Sequence, residues 1–297
     1  MAKIQKTANT ADKKPVYRVK EKPTAMGILA TLFFTIISII FVSPIIIVII
    51  NSLKAKTFIS LETFELPNEH SYIGLDNYKT AITQYDFIKA VGWTVVITVL
   101  SVAAILLFCS MTAWYITRVK NIATKIIYLL CVFSMVIPFQ MVMFTLAKTA
   151  DTLKLNNPYT ICIVYLGFGA GLAVFMFTGF VKGSPLEIEE AAMIDGCSPL
   201  QVFFKILIPI LKPTIISTAI LELMWVWNDY LLPTLVLDIK KYKTIPMAIQ
   251  YFRGSYGHVQ MGPMMASIMI DIIPIVIVYL VCQKYIIEGV VAGAVKG

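Results

Sequence analysis

Charge is scarce in this chain. Of 297 residues only 14% are Asp, Glu, Lys or Arg, against about 25% in ordinary soluble domains. A soluble globular domain is thereby excluded. Histidine is scarcer still: His70 and His258 are the only two. Both fall in polar connecting stretches, where a surface residue is a simpler reading than a ligand. No HExxH pattern occurs, and no Ser/His/Asp set can be argued. The phosphate loop G-x-x-x-x-G-K-[ST] is missing, so the chain does not itself bind ATP in that way. The five cysteines, Cys109, Cys131, Cys162, Cys197 and Cys282, make no CxxC pair. Four lie in apolar segments and read as small packing residues rather than disulfides or metal ligands. No catalytic residue, metal site or bound cofactor is expected, and neither an internal repeat nor a low-complexity tract is visible.

Apolar residues fill the space that charge leaves. They make up 58% of the chain, and mean hydropathy is +0.80. A bilayer core needs roughly 20 apolar residues per helix. Six segments qualify, at roughly 26–50, 90–116, 126–146, 159–181, 214–237 and 264–285. The expectation is an all-α membrane protein of six transmembrane helices. A polar arm (1–25) precedes the first span, a short tail (286–297) follows the last, and the six-span bundle occupies 26–285. The arm lacks periodicity, and the first apolar run is too long for a cleaved signal. The net charge of +8 fits basic residues flanking membrane spans better than nucleic-acid binding.

Lys and Arg in the loops set the orientation. The arm carries Lys3, Lys6, Lys13, Lys14, Arg18, Lys20 and Lys22, and the loop after the second span carries Arg118, Lys120 and Lys125. Both termini are therefore expected in the cytoplasm of a multi-pass plasma-membrane protein. The loop after the fifth span is basic too (Lys240, Lys241, Lys243 and Arg253), so the contrast is imperfect. The segment 51–87 falls outside, is rich in turn formers, and is expected to cap the bundle with short helices.

Between the fourth and fifth spans lies a stretch that looks soluble, 184–213. Ser184-Pro185-Leu186-Glu187 reads as a capping box with proline at the first helical position. The helix continues through Glu189, Glu190, Ala191, Ala192 and Met193, and Gly196 stops it. Ser198-Pro199-Leu200-Gln201 is a second capping box. Pro209 and Pro213 are expected to break or kink the second helix near the membrane. Ala191 and Ala192 leave one face thin enough for close approach. Glu189, Glu190 and Asp195 put charge on or beside it. A helix resting on lipid headgroups would carry Lys and Arg there. This one has acids and no base, which favours a protein partner over membrane lipid.

The pattern Glu190-Ala191-Ala192, Asp195-Gly196, Ile206 and Pro209 resembles the EAA loop of ABC importer permeases. The family usually has leucine before that proline, where this chain has Ile208. Trp225-Val226-Trp227-Asn228-Asp229-Tyr230-Leu231-Leu232-Pro233 is similar to a segment of the carbohydrate-type permeases. The ending Gly289 to Gly297 looks like the glycine-rich tail of the smaller maltose-type permease. The resemblance implies a type I ABC importer permease fold with a cytoplasmic coupling-helix hairpin. It implies that Glu189, Glu190, Ala191, Ala192, Asp195 and Gly196 couple to a cytosolic ATPase, and that Gly293, Lys296 and Gly297 in the tail contact it. The implied partners are an ATPase dimer using ATP and Mg, a second homologous permease in a heterodimer, and an extracellular solute-binding protein. The implied cargo is a carbohydrate. A permease for another solute and an ion- or proton-coupled secondary transporter remain alternatives.

Four polar residues in or near the spans need a role. A carboxylate at mid-bilayer costs about 2.5–3.5 kcal/mol on insertion scales and so faces the bundle interior. Glu222 and Asp271 can line a path or gate, or can tie helices together by a hydrogen bond. Asn228 and Asp229 are expected nearer the outer interface, at an external gate or a binding-protein contact. Trp225 and Trp227 can stack on a sugar, but the interfacial aromatic belt accounts for them more simply.

Overall fold

The computed structural model describes residues 24–84, 86–253 and 259–294. Among them the helices are α1 (Ala25–Ser52), α2 (Lys56–Leu61), α3 (Asp76–Thr83), α4 (Phe87–Arg118), α5 (Ile122–Phe133), α6 (Phe139–Thr152), α7 (Ile161–Lys182), α8 (Leu186–Ile194), α9 (Pro199–Gln201), α10 (Ile208–Asn228), α11 (Leu231–Val236), α12 (Ile245–Tyr251) and α13 (Met261–Ala294). A π-helical segment, Val202–Leu207, joins α9 to α10. The chain divides into two compact units, Met1–Val48 and Ile49–Gly297.

The first unit holds most of α1, a helix apolar on every side, as a membrane span must be. Its few hydroxyls are satisfied locally. Thr31, Thr35 and Ser38 each donate to the carbonyl four residues back at 2.8 Å, so none leaves a free polar group in hydrocarbon.

In the second unit α4 and α7 form the central pair. Ile97, Ile105, Cys109 and Ala113 of α4 meet Tyr165, Ala173, Val174 and Phe177 of α7 in one buried cluster. Two glycines let neighbours approach α7 closely, the usual means of packing helices in lipid. A Cβ at Gly169 would lie 2.6 Å from Ile105 Cδ1. One at Gly171 would lie 2.8 Å from the Cys131 carbonyl of α5. Helix α10 then packs on α4 and α7, and α13 on α10.

By length and composition five helices among the described residues can cross a membrane: α1, α4, α7, the run Pro199–Asn228, and α13 over Met261–Lys284. The expected third span, 126–146, is instead two helices. Helix α5 ends at Phe133, Ser134 caps it, and α6 starts after Pro138. The cause is Pro138: it has no N–H to donate, and it pushes Ile137 out of the helical region.

The segment before α4 folds back as a cap around a buried lysine. Lys54 is wholly buried, and its Nζ donates to the carbonyls of Glu62 and Glu65, each at 2.6 Å. Asn77 donates to the carbonyls of Ser52 and Lys54 at 2.8 and 2.9 Å. Helix α3 packs through Ala81 and Tyr78 on Ala266 of α13 and on Phe252. The expected short capping helices are thus α2 and α3, at the end of α4 opposite Arg118.

Candidate functional site

The hairpin after α7 is built from its turn outward. Gly196 adopts φ +87°, a left-handed conformation that strains other residues. Around it the Cys197 N–H donates to the Ala192 carbonyl and the Gly196 N–H to the Met193 carbonyl, both at 3.0 Å. That is the Schellman pattern, and it satisfies the carbonyls at the end of α8. The second helix starts as expected: Ser198 Oγ accepts from Gln201 N at 3.4 Å, and Gln201 Oε1 accepts from Ser198 N at 2.8 Å.

The first capping box does not form. The residue flanking α8 is Pro185, without a side-chain cap, and the Ser184 hydroxyl lies 3.4 Å from the Phe180 carbonyl instead. Gly183 ends α7 one residue earlier, so Ser184 is taken up by the end of one helix rather than the start of the next. Nor does Pro209 break the second helix. The π turn precedes it, with the Ile208 N–H bonded to the Phe203 carbonyl. The wider turn absorbs the donor that proline lacks, and the run continues through Pro213 to Asn228.

Helix α8 has two distinct sides. Glu187, Glu190, Ala191 and Ile194 are exposed, and their spacing of i, i+3, i+4 and i+7 makes one stripe. Ile194 is 86% exposed. Asp195 and Gly196 continue this open surface, and Met193, Leu200 and Phe204 add more exposed apolar area nearby. Glu189 and Ala192 turn the other way and are buried.

Glu189 ties the hairpin to α4. Its Oε2 accepts from Trp114 Nε1 at 2.8 Å, and its Oε1 accepts from Arg118 Nε at 3.0 Å and Nη2 at 2.6 Å. Arg118 Nη2 also donates to the Ser184 carbonyl at 3.3 Å. The Trp114 ring packs on Phe203 of the second limb, with centroids 5.6 Å apart. Two side chains at the end of α4 therefore hold both limbs. A cavity of about 930 Å³ opens beside this junction, its wall carrying Arg118, Lys120, Lys125 and Lys182.

The intramembrane acids sit apart from the hairpin. Glu222 is 2% exposed on α10, beside Gly169 of α7, and its Oε1 has no hydrogen-bond partner. It lies within the helix bundle of this chain. Asp271 accepts from Trp227 Nε1 at 2.8 Å and links α13 to α10. Asp229 accepts from the Tyr165 hydroxyl at 3.0 Å and from the Leu231 N–H at 3.0 Å. Exposed Asn228 donates to the Met224 carbonyl at 2.7 Å. Of the tail positions, Gly293 lies at the end of α13, and Lys296 and Gly297 lie outside the described residues, as does His258.

Residues 107–291 match the family described as "Binding-protein-dependent transport system inner membrane component". The chain belongs to that family. The matched stretch runs from the end of α4 through the hairpin into α13, and so contains every hairpin contact described above. This permease is 40% identical over 268 residues to a "Probable starch degradation products transport system permease protein" of Thermoanaerobacterium thermosulfurigenes, covering 90% of this chain and 96% of that protein. It is 36% identical over 267 residues to the "Multiple sugar-binding transport system permease protein" of Streptococcus mutans, covering 88% and 94%. Its fold is that of a chain in the crystal structure of a bacterial ABC transporter involved in the import of the acidic polysaccharide alginate. There the TM-score is 0.73 at 22% identity, covering 88% of this chain and 96% of the other.

The Glu189 pairing was invisible in the sequence, because Arg118 stands 71 residues away. A partial signal existed: Glu189 is three residues from buried Ala192, so both share a side of the helix.

Proposed function

We propose that this permease is one half of the membrane channel of an ATP-driven oligosaccharide importer, coupled to a cytosolic ATPase through α8. The exposed stripe of Glu187, Glu190, Ala191 and Ile194 carries this reading. Within and beside that stripe, Ile194, Met193 and Leu200 leave apolar surface open on the hairpin, which supports a partner there. The acids and the small Ala191 suit a close-fitting protein cleft. Glu189 gives the motion of that cleft a route into α4, and the second limb gives it a route into α10. Closure of the ATPase dimer around ATP and Mg would move both helices together.

Several further assignments follow from the same reading. Both termini lie in the cytoplasm, and the membrane is the plasma membrane. A second, homologous permease completes the path, and a solute-binding protein delivers the sugar to the face carrying α2 and α3. The names of the relatives point to short oligosaccharides, and starch-derived maltodextrins are the first to try. Glu190, Ala191, Ala192, Asp195 and Gly196 form or support the ATPase contact. Glu189 acts behind it as a positioning residue. The tail residues Gly293, Lys296 and Gly297 add a second contact to the ATPase.

The test uses the complex co-expressed with its ATPase and partner permease and reconstituted in vesicles. ATP-dependent uptake of maltotriose, raffinose and arabinotriose is measured with the binding protein present. Ala191→Trp is expected to release the ATPase subunit on purification and to lower uptake about tenfold or more. Normal co-purification with normal uptake would rule out α8 as the ATPase contact.

A further inference from the structure

Where α8 turns acids outward, the wall beside it gathers bases. The cavity of about 930 Å³ at the hairpin junction is lined by Arg118 at the end of α4, Lys120 and Lys125 on either side of the start of α5, and Lys182 at the end of α7. Sites for small molecules span about 300–1,000 Å³, so the space is ample for a charged group. No acid lines it among the described residues. Lys120, Lys125 and Lys182 form no ion pair among the described residues either, whereas Arg118 pairs with Glu189 behind the wall. The cavity therefore holds an excess of positive charge that the chain does not itself neutralise.

The donors there are positioned and unspent. Lys182 Nζ stands over the Tyr128 ring, 5.5 Å from its centroid, which fixes one cation at the wall. Arg118 uses Nε and Nη2 on Glu189 and on the Ser184 carbonyl. A guanidinium has five N–H groups, and the two on Nη1 have no partner among the described residues. Thr178 of α7 lines the same cavity, is only 3% exposed, and its hydroxyl has no hydrogen-bond partner. A buried hydroxyl left unsatisfied is costly, and an oxygen of a bound group would satisfy it. The start of α5 also lies on the wall, through Asn121 and Ile122. The positive end of a helix dipole favours an anion, phosphate above all.

The surroundings select the source of that anion. From the cavity, Ile122, Ile126, Leu129 and Phe133 follow α5 at i, i+4, i+7 and i+11, and all four are exposed. That spacing makes one apolar stripe, which suits acyl chains and offers nothing to a free ion. Tyr128 stands where the charged wall meets the stripe, and tyrosine rings favour the headgroup level of a membrane. Basic pockets between spanning helices bind anionic lipid headgroups. We propose that this cavity holds the phosphate of an anionic phospholipid, on Arg118, Lys120, Lys125, Lys182 and Thr178, with its acyl chains along α5. The assignment needs only that α4 and α7 span the membrane. It stands whichever solute is carried.

Native mass spectrometry of the delipidated complex, with its ATPase and partner permease, reads lipid binding directly. The probes are dioleoylphosphatidylglycerol, dioleoylphosphatidylcholine and inorganic phosphate. The wild type is expected to prefer the phosphatidylglycerol. Joint replacement by Lys120→Gln, Lys125→Gln and Lys182→Gln should weaken that binding about tenfold or more and leave phosphatidylcholine unaffected. The same three positions changed to arginine should keep it. Thr178→Val, nearly equal in volume, should weaken it severalfold. A control carrying Lys79→Gln, Lys240→Gln and Lys241→Gln, exposed lysines elsewhere, should bind like the wild type. Equal loss in the control would mean diffuse attraction and overturn the site, as would equal binding of the two lipids by the wild type. Displacement of the lipid by inorganic phosphate would make the ligand a free ion and overturn the lipid assignment. Binding that emerges only after the ATPase is stripped away would turn the cavity into an ATPase contact and overturn it too.

Discussion

A single carboxylate, Glu189, decides whether the hairpin and α4 behave as one piece. It is surrounded by three donor atoms and is almost without solvent, and Arg118 is only 19% exposed. Removing one member of such a pair leaves the other charge buried and costs about 3–5 kcal/mol. Glu189→Ala is therefore expected to lower thermal stability in detergent and to abolish uptake. The double variant Arg118→Met with Glu189→Leu leaves no charge orphaned, so much of the stability should return. Uptake should not return with it if the pair carries the coupling motion. Recovery of both would show that the pair serves folding alone. Gly196 raises a different residue-scale question, because a Cβ there would touch nothing within 4 Å. Only its left-handed backbone resists substitution, at about 1–2 kcal/mol. Gly196→Val should thus change the hairpin angle and reduce ATP-dependent uptake without emptying the membrane of protein. Unimpaired uptake by this variant would remove the turn from the mechanism.

At the scale of elements, local chemistry in the sequence tracked local structure well. Gly196 and the Ser198–Gln201 box stand where their turn and cap chemistry puts them, because each needs only residues within one helical turn. Ser184 misled because two helices compete for it, and its hydroxyl sits by the end of α7. The third span misled because its apolar length outweighed Pro138, although that proline was visible. The Glu189–Arg118, Trp227–Asp271 and Tyr165–Asp229 contacts were beyond reach, since each joins different helices and depends on how they pack. Trp225 and Trp227 show the same limit: alike in sequence, they end on opposite sides of α10, one half open and one buried. The close contact of α7 with α4 yields a prediction at this scale. Gly169→Val would drive a side chain into Ile105 and toward Glu222. Overpacking of this kind costs about 1–3 kcal/mol, and a lower melting temperature of the complex would register it.

For the whole molecule the question is what drives it. Membership in a binding-protein-dependent transport family and the open stripe on α8 support the proposal of an energy source outside the chain. The buried carboxylates of Glu222 and Asp271 would otherwise suggest proton coupling. Asp271 has a structural occupation, as acceptor for Trp227, and asparagine can serve that donor as well. Asp271→Asn should therefore keep substantial ATP-dependent uptake. A protonophore should leave vesicle uptake unchanged while ATP is supplied. Uptake that collapses with the proton gradient would make these acids the engine and the hairpin incidental.

The helical run from Pro199 to Asn228 has one more consequence. At 1.5 Å per residue its 30 residues form a rod about 45 Å long. Its near end is held by the hairpin turn, and its far end carries Trp225, packed edge to face on Tyr165 of α7. The irregular windings, the π turn and Pro213, both lie in the near half. Bending is thus concentrated at the hairpin end, and the remainder can swing as a stiff arm. A tilt of about 10° at the π turn would carry Trp225, about 27 Å further along the arm, roughly 5 Å sideways. A modest rocking on one side of the membrane becomes a displacement as wide as a sugar ring on the other.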